Sequence, residues 1–402
     1  MLRFPEFSEN WFQRKLQEVG KITTGSTPST ANREFYDGEH LFVSPADISD
    51  SRVIHKTKTT VTGLGLNQGR IVKKGAVFFV SIGSTIGKVG QASRSCITNQ
   101  QINSVEATSK FSNDFIYYLL SKNGDKIKLL AGTQALPQLN KSDFSKLEFS
   151  FPSLPEQQKI AEFLTAVDRR IELLQAKKEK LEAYKKGVMQ KIFSQQLRFK
   201  ADDGSEFPDW EERKLGDLGK TFNGLTGKSK ENFGQGKPYI QYKQIFDSSE
   251  IKAEDFGLVE VSENESQSKV QKGDVFFTTS SETPHEIGMA SVLTNDVGEV
   301  YLNSFCFGYR PNSIEKLLPE FSRYFFRSPI VRRGIVKLAQ GSTRYNMSKV
   351  ELMRLSFEIP SPKEQLKIAK FLTSLDRSIE ILNQQINHTQ TWKKGLLQKM
   401  FV

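Results

Sequence analysis

The chain repeats itself, and this limits its fold more than any other feature. PSLPEQQKIAEFLTAVDRRIELL begins at Pro152 and PSPKEQLKIAKFLTSLDRSIEIL begins at Pro360, a shift of 208 positions. The same shift carries YKKGVMQKIF, ending at Phe193, onto WKKGLLQKMF, ending at Phe401. Roughly half of the positions from Pro152 to Phe193 are identical in the second copy, with no gap. The front of each half matches as well. Trp11 opens WFQRKLQEVGK and Trp210 opens WEERKLGDLGK, while VKKGAVFF from Val72 corresponds to VQKGDVFF from Val270. A solenoid stacks many short units. Two large copies instead predict two globular segments, each with its own core and each followed by a similar long helix.

The helices are legible from spacing. Ile160, Leu164, Val167, Ile171, Leu174, Lys178, Leu181, Lys185, Val188 and Ile192 advance by steps of four and three. Ile368, Leu372, Leu375, Ile379, Leu382, Ile386, Thr389, Lys393, Leu396 and Met400 keep the same register. This is a coiled-coil seam, polar at a few positions. Pro155 and Pro362 stand where the helices begin, and the first turn tolerates proline. A helix of about 40 residues spans roughly 60 Å. A seam that long needs a partner, and the copy in the same chain supplies one; an antiparallel pair would carry one globular segment at each end. The globular segments are mixed and strand-rich: residues 76–80 and 275–279 are short apolar β-favouring runs bounded by Gly and Ser. Helices are expected at 113–130 and 318–339, the second broken at Pro329.

Composition narrows the function. A net charge of +11 and pI near 9.3 attract polyanions, and Lys and Arg are spread along the chain as on folded basic faces. No run of about 18 apolar residues suggests a membrane span, and MLRFPEFSEN lacks the apolar core of a secretory signal. With only Cys96 and Cys306, neither a disulfide framework nor a cysteine-rich zinc site is expected, and the setting reads as a reducing cytoplasm.

Catalytic patterns are not found. His40, His55, His285 and His388 stand alone, without metal-ligand spacing. IGSTIGKVG from Ile82 is one spacer residue short of a phosphate-binding loop, with Val89 in place of the required hydroxyl residue, and reads as a Gly-bounded turn. Gly63-Leu64-Gly65 is only a fragment of a dinucleotide fingerprint. No Asn-Pro-Pro-aromatic motif of the amino-methyltransferases occurs, and no carboxylate pair is defensible as acid and base. The expectation is no catalytic residue and no metal ligand.

Two variable segments, each followed by P-x-x-x-E-Q-x-K-I-A-x-F-L and then D-x-x-I, resemble the specificity subunit of type I restriction–modification systems. The resemblance covers essentially the whole chain, and PEQQKIAEFL and KEQLKIAKFL are its most specific signals. It implies an α+β protein with two globular target-recognition domains separated by two long antiparallel coiled-coil helices, a pseudo-twofold internal repeat. The boundaries are 1–151 and 199–359 for the domains, and 152–198 and 360–402 for the spacer helices. It also implies a non-catalytic subunit that binds double-stranded DNA, one head per half of a split target, with helix length setting the spacer. Half-sites on one DNA face lie about 34 Å apart or a multiple of that, within reach of such a helix pair. Two modification subunits carrying S-adenosylmethionine would methylate adenine N6, and restriction subunits would add ATP- and Mg-dependent translocation and cleavage. Because the variable segments differ, the target is expected to be asymmetric. The rival readings are a freestanding nucleic-acid enzyme, for which no segment is spare, and a coiled-coil adaptor that binds proteins only. The adaptor would show weak DNA binding with little salt dependence.

Base edges are read by Arg, Lys, Asn, Gln, Ser and Thr, and phosphates by Lys, Arg and backbone amides. The candidates in the first head are Thr24, Ser26, Thr27, Ser84, Thr85, Lys88, Asn99, Gln100 and Gln134. In the second they are Lys228, Lys230, Tyr242, Lys243, Ser281, Asn303, Thr343, Arg344 and Tyr345, with Arg344 the foremost because a guanidinium can grip guanine bidentately. Turn capping is the competing role for each Ser, Thr and Asn. Tyr184, Lys185, Lys186, Lys191, Trp392, Lys393, Lys394 and Lys399 repeat between the copies. They are candidates for a shared surface that meets the modification subunits or the DNA backbone, against an ordinary solvated basic face.

Overall fold

The computed structural model describes residues 2–49, 51–131 and 137–401. The chain forms two units, one of Met1–Ala176 with Gln384–Val402 and one of Lys177–Asn383.

The first unit is built on a five-stranded sheet in the order Gly20–Thr24, Ile102–Ala107, Val77–Val80, Val89–Ala92, Val53–Ile54. Val77-Phe78-Phe79-Val80 is wholly buried, and the strand's period of two explains why it has no polar face. Val77 and Phe79 face the core shared with the head helix Asn113–Leu130 and the long helices. Phe78 and Val80 enter a second core with Leu41, Val43, Ile54 and Ile102. Ser112 caps the head helix by accepting from the Phe115 amide at 3.3 Å. In the second unit the equivalent sheet runs Gly219–Asn223, Cys306–Pro311, Val275–Thr278, Ala290–Val292. Its head helix is split into Pro319–Phe325 and Pro329–Val336. Pro329 has no N–H for the first stretch to use, so Ser328 starts a new helix by accepting from the Val331 amide at 3.4 Å.

The long helices are Leu154–Phe193 and Pro362–Met400. Each gives its first part to one unit and its last part to the other, and within each unit the two segments run antiparallel. Ile160, Leu164, Val167 and Ile171 share the first core with Leu396 and Met400. Val188 and Ile192 share the second with Ile368 and Leu372. The polar positions of the seam have an account too. Lys393 pairs with Asp168 at 2.6 Å, and Lys185 pairs with Asp376.

The repeated motif is the joint between helix and head. Glu156 is buried and takes two bonds from Arg3, at 2.8 and 2.7 Å, with the Trp11 indole N–H at 3.4 Å. Glu364 is held in the same way by Arg198, at 3.3 and 2.9 Å, and by Trp210 at 3.1 Å. A buried carboxylate is tolerated only when paired in this manner. The next residue ties down loop backbone: Gln157 donates to the Pro152 carbonyl and accepts from the Ser112 amide. Gln365 does likewise with Pro360 and Leu318. Farther along, the Tyr118 hydroxyl donates to Asp168 and the Tyr324 hydroxyl to Asp376, each at 2.7 Å.

Around these tyrosines the units differ. In the first, Arg52 comes from a loop, bonds Gln91, Tyr118 and Thr165, and pairs with Asp114. In the second the cation comes from the helix: Arg323 pairs with Glu250 at 2.5 Å and Asp376 at 3.3 Å.

Candidate nucleic-acid interface

In the first head, strands Gly20–Thr24 and Val77–Val80 end, and Ile102–Ala107 begins, at the same edge of the sheet. Three loops therefore meet there. The Gly25 amide donates to the Ile102 carbonyl at 3.0 Å and the Ser26 amide to the Thr98 carbonyl at 2.9 Å. Gly25 is required by this approach, since a Cβ there would lie 2.1 Å from the Asn99 carbonyl oxygen. The structure brings together Thr24, Ser26, Thr27, Asn99 and Gln100. Thr24 donates to Asn103 and Thr27 to Gln100, each at 2.6 Å. Asn99 closes a turn by accepting from the Gln101 amide at 3.1 Å. Ser84, Thr85 and Lys88 lie on the neighbouring turn, where Gly83 and Gly87 both have positive φ. Ser84 and Lys88 are exposed there, and Lys88 reaches the Ile48 carbonyl at 3.3 Å. Gln134 lies outside the described residues.

The second head has the same frame. The Leu225 amide donates to the Leu302 carbonyl at 2.7 Å, and the Asn303 amide to the Ile240 carbonyl at 3.1 Å, as the Asn99 amide does to Val43 at 2.9 Å. Asn303 closes its turn by accepting from the Phe305 amide at 2.8 Å. Thr343 and Arg344 are exposed on a hairpin tip between Gln340 and Asn346, whose backbones exchange two hydrogen bonds. Gly341 turns that tip with φ +124. Arg344 donates to the Ser280 hydroxyl at 3.3 Å, and the Tyr242 hydroxyl donates to the Ser280 carbonyl at 2.8 Å. Ser281 is buried and its strand pairs with Tyr345. Lys230 is exposed at a short turn, and Lys243 is exposed with Asp247 at 2.5 Å.

Lys228 is committed elsewhere. Its side chain is 5% exposed and pairs with Glu265 at 2.6 Å. Lys228, Gln267 and the Ser262 amide together hold the Glu265 carboxyl down at about 2. Two other cations are structural: burial pulls Arg327 and Arg332 down to about 10, and both are caged by backbone carbonyls. Burial likewise pushes the Cys96 thiol up to about 12, which disqualifies it as a nucleophile.

Several rim residues carried no signal in the sequence. Arg70 donates to the Thr24 carbonyl at 3.0 Å, and its own amide donates to the Ser26 hydroxyl at 3.2 Å. Lys349 reaches Asn223 and sits 5.7 Å above the Phe307 ring. Gln101 and Phe305 stand at the turns closed by the two asparagines.

On the long helices, Lys185 and Lys393 are half-buried in their ion pairs and lie over the rings of Tyr324 and Tyr118. Lys186, Lys191, Lys394 and Lys399 are exposed. Tyr184 is exposed, and so is Trp392, whose ring packs edge-on against Phe163. Among the described residues no cluster of His, Cys, Asp or Glu is placed to hold a metal ion, and no helix is long and apolar enough to cross a membrane. The rims offer hydrogen-bond donors, acceptors and guanidinium groups on a backbone fixed by hydrogen bonds between loops.

A family model described as the type I restriction modification DNA specificity domain matches residues 8–183 and, a second time, residues 208–389. The chain belongs to this family. Among members of the type I specificity family, the MjaVIII specificity subunit of Methanocaldococcus jannaschii is 23% identical over 422 residues, covering 98% of this chain and 92% of that one. The MjaIX specificity subunit of the same organism is 26% identical over 264 residues, 62% of this chain and 61% of that protein, so the match spans less than two thirds of it. In fold, the chain is similar to the crystal structure of the type I S subunit from M. genitalium. The TM-score is 0.58 at 17% identity, with 98% of this chain and 96% of that one covered.

Proposed function

We propose that this chain is the DNA sequence-specificity subunit of a type I restriction–modification complex. Each head reads one half of a split, asymmetric target in double-stranded DNA. The observation that carries this reading is the pair of rims: one backbone frame, built twice, bearing different polar and cationic side chains. The same frame suits the same ligand class, and different side chains suit different base sequences. The chain is non-catalytic in this reading and directs partners to the site. Two modification subunits bring S-adenosylmethionine and methylate adenine N6, and restriction subunits bring ATP and Mg for translocation and cleavage.

The test is co-expression with the adjacent modification subunit, followed by mapping of adenine methylation on plasmid DNA. A split, asymmetric motif that appears only with both proteins supports the reading. The same motif without this chain, or a palindromic one, overturns it. Arg344→Ala should relax selectivity at one base of one half-site, by about 1–3 kcal/mol of lost discrimination. Unchanged methylation of every variant of that half-site would remove Arg344 from the interface.

A further inference from the structure

One backbone position is clamped identically in both heads and carries a different side chain in each. In the first head it is Gln101. Its carbonyl accepts from the Ser81 amide at 2.8 Å, and its amide donates to the Asn99 side chain at 3.1 Å. In the second it is Phe305. Its carbonyl accepts from the Thr279 amide at 3.1 Å and the Thr279 hydroxyl at 2.7 Å, and its amide donates to the Asn303 side chain at 2.8 Å. Both peptide groups are thus fixed by the same pair of loops, and the side chain is presented without backbone freedom.

The side chains face the problem differently. Gln101 is half-buried, with its amide oxygen accepting from the Asn99 side-chain N–H at 3.0 Å. Phe305 is 60% exposed, an apolar ring standing out of a polar rim. Rings of this kind elsewhere in the head, such as Phe276, Phe277 and Phe307, are buried. Beside it in the rim are two cations, Arg344 at Ser280, suited to a base edge, and Lys349 at Asn223, suited to a phosphate. On a duplex held against such cations, the apolar surfaces available to a ring are base faces and thymine methyl groups.

We infer that this clamped position is a specificity-determining reader in each head, with Gln101 hydrogen-bonding a base edge and Phe305 making an apolar contact to a base. The inference rests on the proposed reading of the rims as DNA-binding. It goes further in naming which residue discriminates and by what chemistry, and it makes the two half-sites differ in kind: one polar contact, one apolar.

The experiment uses the complex of the full chain with its modification subunit. The wild-type motif is mapped first, and methylation is then measured on duplexes that vary each base of both halves. Phe305→Ala should slow methylation of the cognate duplex about 10-fold and relax preference at one or two adjacent positions of a single half. Phe305→Leu should retain most of both, because it keeps apolar bulk. Gln101→Ala should relax a position in the other half only. All three variants should melt like the wild type, since neither side chain lies in a core. Replacing thymine by uracil, or a base by 2-aminopurine, distinguishes a methyl contact from a contact with the base face. A drop with uracil in the wild type alone identifies the methyl. Brightening of 2-aminopurine in the wild type alone identifies the base face. Unaltered rate and preference in both alanine variants, or a uniform loss at every position, overturns the inference while the wild-type motif still stands. A wild-type complex with no split motif overturns the specificity reading itself, and this inference with it.

Discussion

Where each head meets the long helices, the two units use nearly the same residues; at the rims they share backbone geometry and little else. Glu156 with Arg3 and Trp11 is matched by Glu364 with Arg198 and Trp210, and Asp168 with Tyr118 and Lys393 by Asp376 with Tyr324 and Lys185. Such joints tolerate little change, because every member is a buried or half-buried polar group whose partner lies on another element. The rims are different. Their frames are held by backbone bonds, so the side chains are free to differ. Repetition in this chain therefore marks what holds the heads in place, and in the proposed reading divergence marks what they would read.

The largest test of that distinction lies in the joints. Leu164 and Leu372 occupy equivalent, fully buried positions, one in each core. Replacing either with Ala should cost its unit about 2–5 kcal/mol, read as lower thermal stability and faster proteolysis of that head. Equal losses uphold the equivalence of the joints. A large loss in one unit with none in the other would break it.

A smaller effect sharpens the one difference between the joints. Arg52→Ala removes bonds to Gln91, Tyr118 and Thr165 and should cost about 2–3 kcal/mol, and Arg323→Ala a similar amount. Their acidic partners should not behave alike. Each carboxylate accepts one further bond, Asp114 from the Gln91 side-chain amide at 2.8 Å and Glu250 from the Thr294 hydroxyl at 2.5 Å, but Asp114 is half exposed whereas Glu250 is shielded. Asp114→Asn should therefore be nearly neutral in chemical denaturation and Glu250→Gln clearly destabilising. The reverse order would mean that the two cations are held by something other than these pairs.

The smallest effect concerns Lys228, a candidate whose charge is taken up by Glu265. The Glu265 carboxyl is held at about 2 against an ordinary 4.5, chiefly by its hydrogen bond from Lys228. A depressed carboxyl stabilises the fold above its unfolded value, so the contribution is complete above about 4.5 and is lost as pH falls towards 2. Carboxyl NMR titration should place the midpoint near 2 in the wild type and move it upward in Lys228→Met. The same variant should leave the salt dependence of DNA binding unchanged. A midpoint near 4.5 in the wild type would return Lys228 to the reading residues.

Much of this architecture is legible in the sequence because it is periodic or punctuated. The 3–4 spacing marks both long helices, alternating burial explains Val77–Val80, and Pro329 announces the broken head helix. The joints are legible only as a motif. That Lys185 answers Asp376, 191 residues away, is not contained in any spacing, so the sequence does not show that two of the repeated lysines are tied into ion pairs. The rim was harder still. Phe305 passes for a core residue by type, and Arg70 follows Gly69 with no periodic context. Only the folded loops bring Phe305 to Thr279, next in sequence to the Ser280 that Arg344 meets, and Arg70 to Thr24.

The pairing of each head's first and last strands has a consequence for inheritance. Phe12–Lys15 lies antiparallel to Glu148–Phe151, with Phe12 opposite Phe151, and Glu211–Lys214 lies in the same way against Ser356–Ile359. The chain of each head thus begins and ends at one two-stranded gate, the closing strand leading into a long helix. A gene crossover with breakpoints in the codons of that gate would exchange everything between them as a cassette. The incoming head would find the same carboxylates and glutamines waiting on the long helices, and the lineage would acquire a new target without rebuilding its frame.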